Sequence, residues 1–157
     1  MVISKSKNVI FLKNKKGKLN KFELKSNVLK FGILGLKSLE SGILNLKQIE
    51  SMQQIIYKIT KQKSKIWLKI FNFLPVYAKP IGVRMGKGKG KLVHYMCKFG
   101  AGKVLIEICG FNKKLLIKSL LFCKFKLPIK TIICFKIVIW FSKMEKLSYY
   151  VFLYVKS

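Results

Sequence analysis

The chain has 157 residues, in which 33 Lys and Arg stand against five Glu and no Asp, for a formal net charge of +28. Its 51% hydrophobic and 13% aromatic content can build a core and excludes disorder throughout. A charge several-fold above the ~2–8 that suits a free small domain requires a polyanionic partner, nucleic acid or an anionic membrane.

Catalysis by paired carboxylates and Mg²⁺ binding have almost no material, because Glu23, Glu40, Glu50, Glu107, Glu145 and the single His94 are scattered. Cys97, Cys109, Cys123 and Cys134 are 12, 14 and 11 residues apart, which gives no zinc pattern and reads as four small buried hydrophobes. No metal or other cofactor is expected. Lysine outnumbers arginine 32 to 1, a bias that follows A/T-rich codons and suggests an organelle genome. The first 20 residues carry neither a signal-peptide core nor a transit-peptide pattern, consistent with synthesis inside the organelle. The greasiest stretch, Leu127 to Ser142, is interrupted by Lys130 and Lys136, so no membrane span is expected.

In chain order, residues 1–27 form a basic arm that includes Lys13, Lys15, Lys16 and Lys18. Val28 to Leu36, broken by Gly32 and Gly35, predicts an irregular or bulged strand. Asn45 and Gln48 make a capping box ahead of Leu46, Ile49, Met52, Ile56 and Ile59, which predicts a helix from about Leu46 to Lys61. Ile66 to Phe71 reads as a strand with Trp67, Lys69 and Phe71 on one face, a surface able to lie on RNA but more often a packed one. Pro75 and Pro80 bracket a turn-like connection that leads into a Gly/Lys loop, Gly82 to Lys91. Leu92 to Phe99 and Lys103 to Gly110 flank Gly100-Ala101-Gly102 and read as a β-hairpin. Asn112 caps a second helix with Leu115, Leu116, Leu120 and Cys123 as its apolar positions, ended by Pro128. Ile129 to Phe135 would return to the sheet, and alternation from Leu147 to Val155 suggests an edge strand in an aromatic tail. Interleaved helices and strands, with two main helices and a mixed or antiparallel sheet, make an α+β fold.

The loop carries the functional inference. Gly86, Gly88 and Gly90 alternate with Lys87 and Lys89, so backbone can approach phosphates while ammonium groups neutralise them. It is neither a P-loop nor a dinucleotide fingerprint. Arg84, the single arginine, stands two positions before the first of these glycines. A planar guanidinium can form forked hydrogen bonds or stack on a base, which an ammonium cannot.

Val83-Arg84-Met85-Gly86-Lys87-Gly88-Lys89-Gly90 resembles the signature loop of the large-subunit ribosomal protein L-sixteen family. The resemblance extends upstream through Phe31 to Lys37, Leu46 to Glu50, Lys65 to Phe71 and Lys79-Pro80, and downstream through Gly102 to Leu105 and Lys126 to Thr131. It covers about residues 28–136, leaving a loosely matched arm and an extension over 137–157. The resemblance implies a non-enzymatic α+β domain packed on large-subunit ribosomal RNA, its loop reaching toward the peptidyl-transferase region and bound tRNA. Arg84 to Gly90 would be the loop near tRNA, and Lys13, Lys15, Lys16, Lys18, Lys61, Lys63, Lys65, Lys79, Lys91 and Lys130 would face ribosomal RNA.

Neighbouring large-subunit proteins are the expected protein partners, the tail docking on one of them or adding to the chain's own core. A homo-oligomer is not expected. The mitochondrion is favoured over the plastid, on hydrophobic drift and the added tail. The competing reading is a free cationic protein that condenses nucleic acid or coats a membrane surface.

Overall fold

The computed structural model describes residue 19 and residues 22–71, 74–86, 88–140 and 146–153, with backbone alone from residue 137 onward. The Lys13, Lys15, Lys16, Lys18 and Lys87 assignments lie outside the described residues. The elements run β1 (Leu34–Ser38), β2 (Gly42–Asn45), α1 (Leu46–Thr60), β3 (Ser64–Leu68), β4 (Leu74–Ala78), β5 (Lys91–Phe99), β6 (Val104–Gly110), α2 (Lys113–Lys124), β7 (Thr131–Trp140) and β8 (Lys146–Leu153). They make a five-stranded sheet in the order β3-β6-β1-β7-β8 and a three-stranded sheet in the order β2-β5-β4. The fold is α+β as expected, and of the mixed or antiparallel pairing expected it takes the antiparallel form: every strand pair among the described residues is antiparallel. One isolated parallel bridge, Phe22 to Ala101, stands outside the strands.

Both helices begin where their caps were expected. The Asn45 N–H donates to Gln48 Oε1 at 2.9 Å, and Asn112 Oδ1 accepts from the N–H groups of Lys114 and Leu115 at 3.1 and 3.3 Å. Helix α1 buries Ile49, Met52, Ile56 and Thr60, and α2 buries Leu116, Ser119, Leu120 and Cys123. Leu115, expected in the core, is instead exposed, with Ser119 inside and its hydroxyl bonded to the Leu116 carbonyl at 2.7 Å. The helices pack on each other and on Leu34, Leu36, Ile106, Ile108 and Ile133 of the large sheet. Burial pushes the Cys123 thiol up to about 12, and that of Cys134 up to about 11 against the lowering effect of Lys37. These two and Cys97 are buried and Cys109 is half-buried, so three of the four cysteines act as the small core residues expected.

Three expectations are corrected. The strands 92–99 and 103–110 do not form a hairpin: β5 pairs with β2 and β4, while β6 pairs with β1 and β3. Both edges of β6 are taken by β1 and β3, and Gly100-Ala101-Gly102 carries the chain from one sheet to the other. Buried Ser38 fastens that crossing, its hydroxyl against Gly100 O and Lys103 O while Gly102 N–H donates to Ser38 O at 2.9 Å. The connection bracketed by Pro75 and Pro80 contains β4, an edge strand able to accommodate Pro75 without an N–H to donate. The irregular or bulged strand expected over 28–36 becomes a strand only from Leu34, and its irregularity is a register shift against β6 between Leu36 and Lys37. Residues 28–33 form a strap across the face of the large sheet that the helices do not cover.

The strap is held by Glu107. This carboxylate sits in the middle of β6 opposite Gly35, is 0% exposed, and accepts the N–H groups of Lys30, Phe31 and Gly32 at 2.7–3.2 Å. Lys69 Nζ stands 3.3 Å from Glu107 Oε1 and 4.3 Å from the centroid of the Phe31 ring, which stacks on Trp67 at 6.1 Å. The Trp67 and Lys69 side chains therefore close on the strap, the packed alternative of the sequence reading. Gly35 lets Leu29 settle on the sheet, since a Cβ there would come 2.3 Å from the Leu29 side chain.

Burial drives the Glu107 carboxyl upward, but the three N–H groups and Lys69 outweigh it and hold the group below its ordinary value. Its contribution to stability is therefore complete above the unfolded value of ~4.3 and is lost as pH falls through the lower folded-state value. Glu107→Gln, which keeps the shape but removes the charge, is expected to cost about 3 kcal/mol in denaturant unfolding at neutral pH. The variant's stability should also fall less steeply on acidification. Parallel pH curves would overturn this account.

Candidate nucleic-acid interface

The Gly/Lys loop is the tip of a hairpin. β4 and β5 pair from Leu74↔Met96 at the far end to Ala78↔Lys91 at the root, with a register shift between Val76 and Tyr77. Such a bulge sharpens the local twist. The shift falls close to the root from which residues 79–90 project.

The glycines serve two purposes. Gly82, Gly86 and Gly88 have φ of +84°, +99° and +80°, which L side chains rarely adopt, and open space surrounds each. Gly90 is needed for closeness instead, because a Cβ there would lie 2.5 Å from Ala78 O of the opposite limb. Two contacts tie the loop to its root: Lys79 Nζ donates to Gly86 O, and Lys89 Nζ sits 3.9 Å from the Tyr77 ring centroid. A turn bond from Val83 N–H to Pro80 O at 3.4 Å closes the first bend.

What remains outward is Arg84 with Ile81, Val83 and Met85, all exposed; Met85 is 101% exposed and shields nothing of its own chain. Exposed apolar groups beside a guanidinium, with glycine backbone between, suit a partner having both flat apolar faces and anionic oxygens.

The structure gathers the other expected cations into separate groups. Lys79 and Lys91 flank the hairpin root beside Lys89, and all are exposed. Lys61, Lys63 and Lys65 line the corner from α1 into β3, also exposed, with Lys61 in the left-handed region at φ 50°. Lys130 stands apart and pairs with Glu40 at 3.3 Å, a solvated contact that leaves the lysine available. Sequence reasoning missed Tyr77, whose ring lies beneath Lys89 only because β4 pairs with β5; recognising that strand was the signal required.

Chemically the site offers cations, backbone N–H groups and flat side chains. Among the described residues, no three His, Cys, Asp or Glu converge to hold a metal ion, and no helix is long and apolar enough to cross a membrane. The exposed lysines of the loop and of the α1–β3 corner have no carboxylate partner among the described ion pairs, which take up Glu23, Glu40 and Glu107.

Two helices packed against an antiparallel sheet, with a cationic glycine hairpin projecting from a second sheet, make an α+β scaffold whose exposed loop suits a polyanionic partner. The sequence pattern of ribosomal protein L16p/L10e matches residues 6–134, and the chain belongs to that family. It is 39% identical over 132 residues to the large ribosomal subunit protein uL16 of Buchnera aphidicola subsp. Baizongia pistaciae, covering 84% of this chain and 96% of that protein. The protein of the same name from Kosmotoga olearia is 38% identical over 125 residues, 80% of this chain and 89% of its own length. That of Psychrobacter cryohalolentis is 36% identical over 123 residues, 78% and 90% respectively.

Gly90→Ala is expected to force the hairpin root apart, at a cost of about 1–3 kcal/mol for the overlap. Hydrogen exchange should quicken at the pairs nearest Ala78 and Lys91 and stay unchanged at Leu74 and Met96. Unaltered exchange at the root would refute the close-approach role.

Proposed function

We propose that this chain is a structural constituent of the large ribosomal subunit, binding large-subunit ribosomal RNA and holding its Gly82–Lys91 loop near the peptidyl-transferase region and bound tRNA. The observation that carries the reading is the loop geometry. Three left-handed glycines in open space raise Arg84 on a tethered stalk, where its guanidinium is available for a forked or stacked RNA contact. Lys87 and Lys89 serve as the loop cations, and Lys61, Lys63, Lys65, Lys79, Lys91, Lys130 and the lysines of the arm bind ribosomal RNA phosphates. The large-subunit assignment agrees with the names of the bacterial relatives, large ribosomal subunit protein uL16.

The finer assignment is to the mitochondrial large subunit, on the hydrophobic drift of the composition, 51% hydrophobic, and the tail beyond the family match. In that setting, residues 137–157 meet a neighbouring ribosomal protein. Proteomic analysis of gradient-purified mitochondrial and plastid particles tests the compartment.

Sedimentation distinguishes this reading from a free condensing protein: the chain should travel with large subunits through moderate salt. Isolated, it should lose RNA affinity steeply as salt rises, with a log–log slope of roughly −0.9 per phosphate neutralised on duplex RNA. Arg84→Lys keeps the charge but removes the fork. Particles carrying it should assemble normally and bind tRNA roughly ten-fold more weakly. Full activity of that variant would overturn the loop assignment.

A further inference from the structure

Helix α2 packs Leu116, Ser119, Leu120 and Cys123 inward, and its outer side is not the polar face an amphipathic helix normally shows water. Leu115, Phe122 and the C-cap residue Phe125 stand exposed there, Phe125 at 74%, and Phe111, just ahead of the N-cap Asn112, is 102% exposed. With Lys118, Leu115, Phe122 and Phe125 fall at successive spacings of three, four and three residues, which places these four along one outer stripe.

The same helix carries four lysines and no carboxylate. Lys113 and Lys114 occupy its first turn, where the helix dipole disfavours cations, and no ion pair among the described residues relieves them. The stripe is therefore apolar at three positions, two of them aromatic, cationic between Leu115 and Phe122, and flanked by further positive charge.

That combination selects among occupants. The centres of protein–protein interfaces are depleted in lysine. Insertion into a bilayer would draw Lys118 down with the apolar side chains on either side of it. A duplex hides its base faces. Unpaired RNA presents flat bases and phosphates in alternation, and aromatic rings interleaved with cations bind it without sequence preference.

We propose that the outer face of α2 is a docking surface for unpaired RNA, with bases stacking on Phe122 and Phe125 and phosphates meeting Lys114 and Lys118. This goes beyond the loop assignment and stands without it, since an unpaired strand of any source fits the same chemistry.

Binding of the full chain to an unpaired oligoadenylate and to an RNA duplex of equal length, each over a range of salt, tests it. Joint Phe122→Ala and Phe125→Ala substitution should weaken oligoadenylate binding by roughly ten-fold or more, leave duplex binding nearly unchanged, and preserve the salt slope. Lys118→Ala, with both rings in place, should reduce the magnitude of the oligoadenylate slope by roughly 0.7, a reading that survives poor folding of the double variant. Equal losses on both RNAs, or no loss on either, would overturn the proposal. So would wild-type self-association abolished by the double variant, or loss of binding to phosphatidylglycerol vesicles with oligoadenylate binding intact.

Discussion

One buried carboxylate organises the large sheet. Glu107 is surrounded by sheet, strap and the Phe31 ring, and such a charge is tolerable only when its oxygens are satisfied on every side. Three consecutive N–H groups and Lys69 supply that. The N–H groups belong to residues 30–32, so meeting the electrostatic requirement of Glu107 fixes the path of the strap. The path then carries Leu29 onto Gly35, Val104 and Cys134, closing the face opposite the helices. Without the charge, the strap would keep its small apolar cluster, the Phe31–Trp67 stack and the bonds of Ile33 and Lys30 to Ile108 and Lys136, but the N–H groups of residues 30–32 would lose their charged acceptor.

The second sheet has a different task. β5 lies between β2 and β4, which ties the hairpin to the body through β2 and the α1 N-cap that follows it. The rigid part ends at Ala78 and Lys91, and the loop beyond keeps its form through one lysine-to-carbonyl bond, one cation–π contact and glycines in conformations no other residue adopts readily. A projecting segment of this kind has little core to hold it. Its tethers restrict its freedom before a partner is met, which lowers the ordering cost of binding.

Local signals were legible in the sequence and distant pairings were not. Asn45 with Gln48, and Asn112, set the helix starts because a cap is a matter of three or four neighbouring residues. The loop was legible through its glycine–lysine alternation and lone arginine. The hairpin drawn across Gly100-Ala101-Gly102 failed because turn chemistry reports only that the chain bends, whereas β6 had two better partners in β1 and β3. β4 was hidden because proline weakens a strand signal, although an edge position removes the objection. Glu107 looked like one of five scattered carboxylates. Its role depends on N–H groups about 75 positions away, a relation that no local pattern encodes.

The distribution of charge completes the argument. Of five carboxylates, one is buried as a structural anchor and two more meet lysines, Glu23 with Lys103 at 3.6 Å and Glu40 with Lys130 at 3.3 Å. The Glu23 pair again fastens the approach to the strap, beside the Glu23 N–H bond to Ala101 O. Among the described residues, the exposed lysines of the loop, the α1–β3 corner and α2 meet no carboxylate in these ion pairs and repel neighbouring cations within a Debye length of ~8–10 Å. An extended polyanion relieves such repulsion at several exposed cations at once. Isolated phosphates would neutralise charges singly at the full entropic cost of each, whereas a polymer loses that freedom once and releases counterions at every contact. The internal pairs thus secure strap and crossing, while the unpaired cations stand on the surfaces that a polynucleotide can follow.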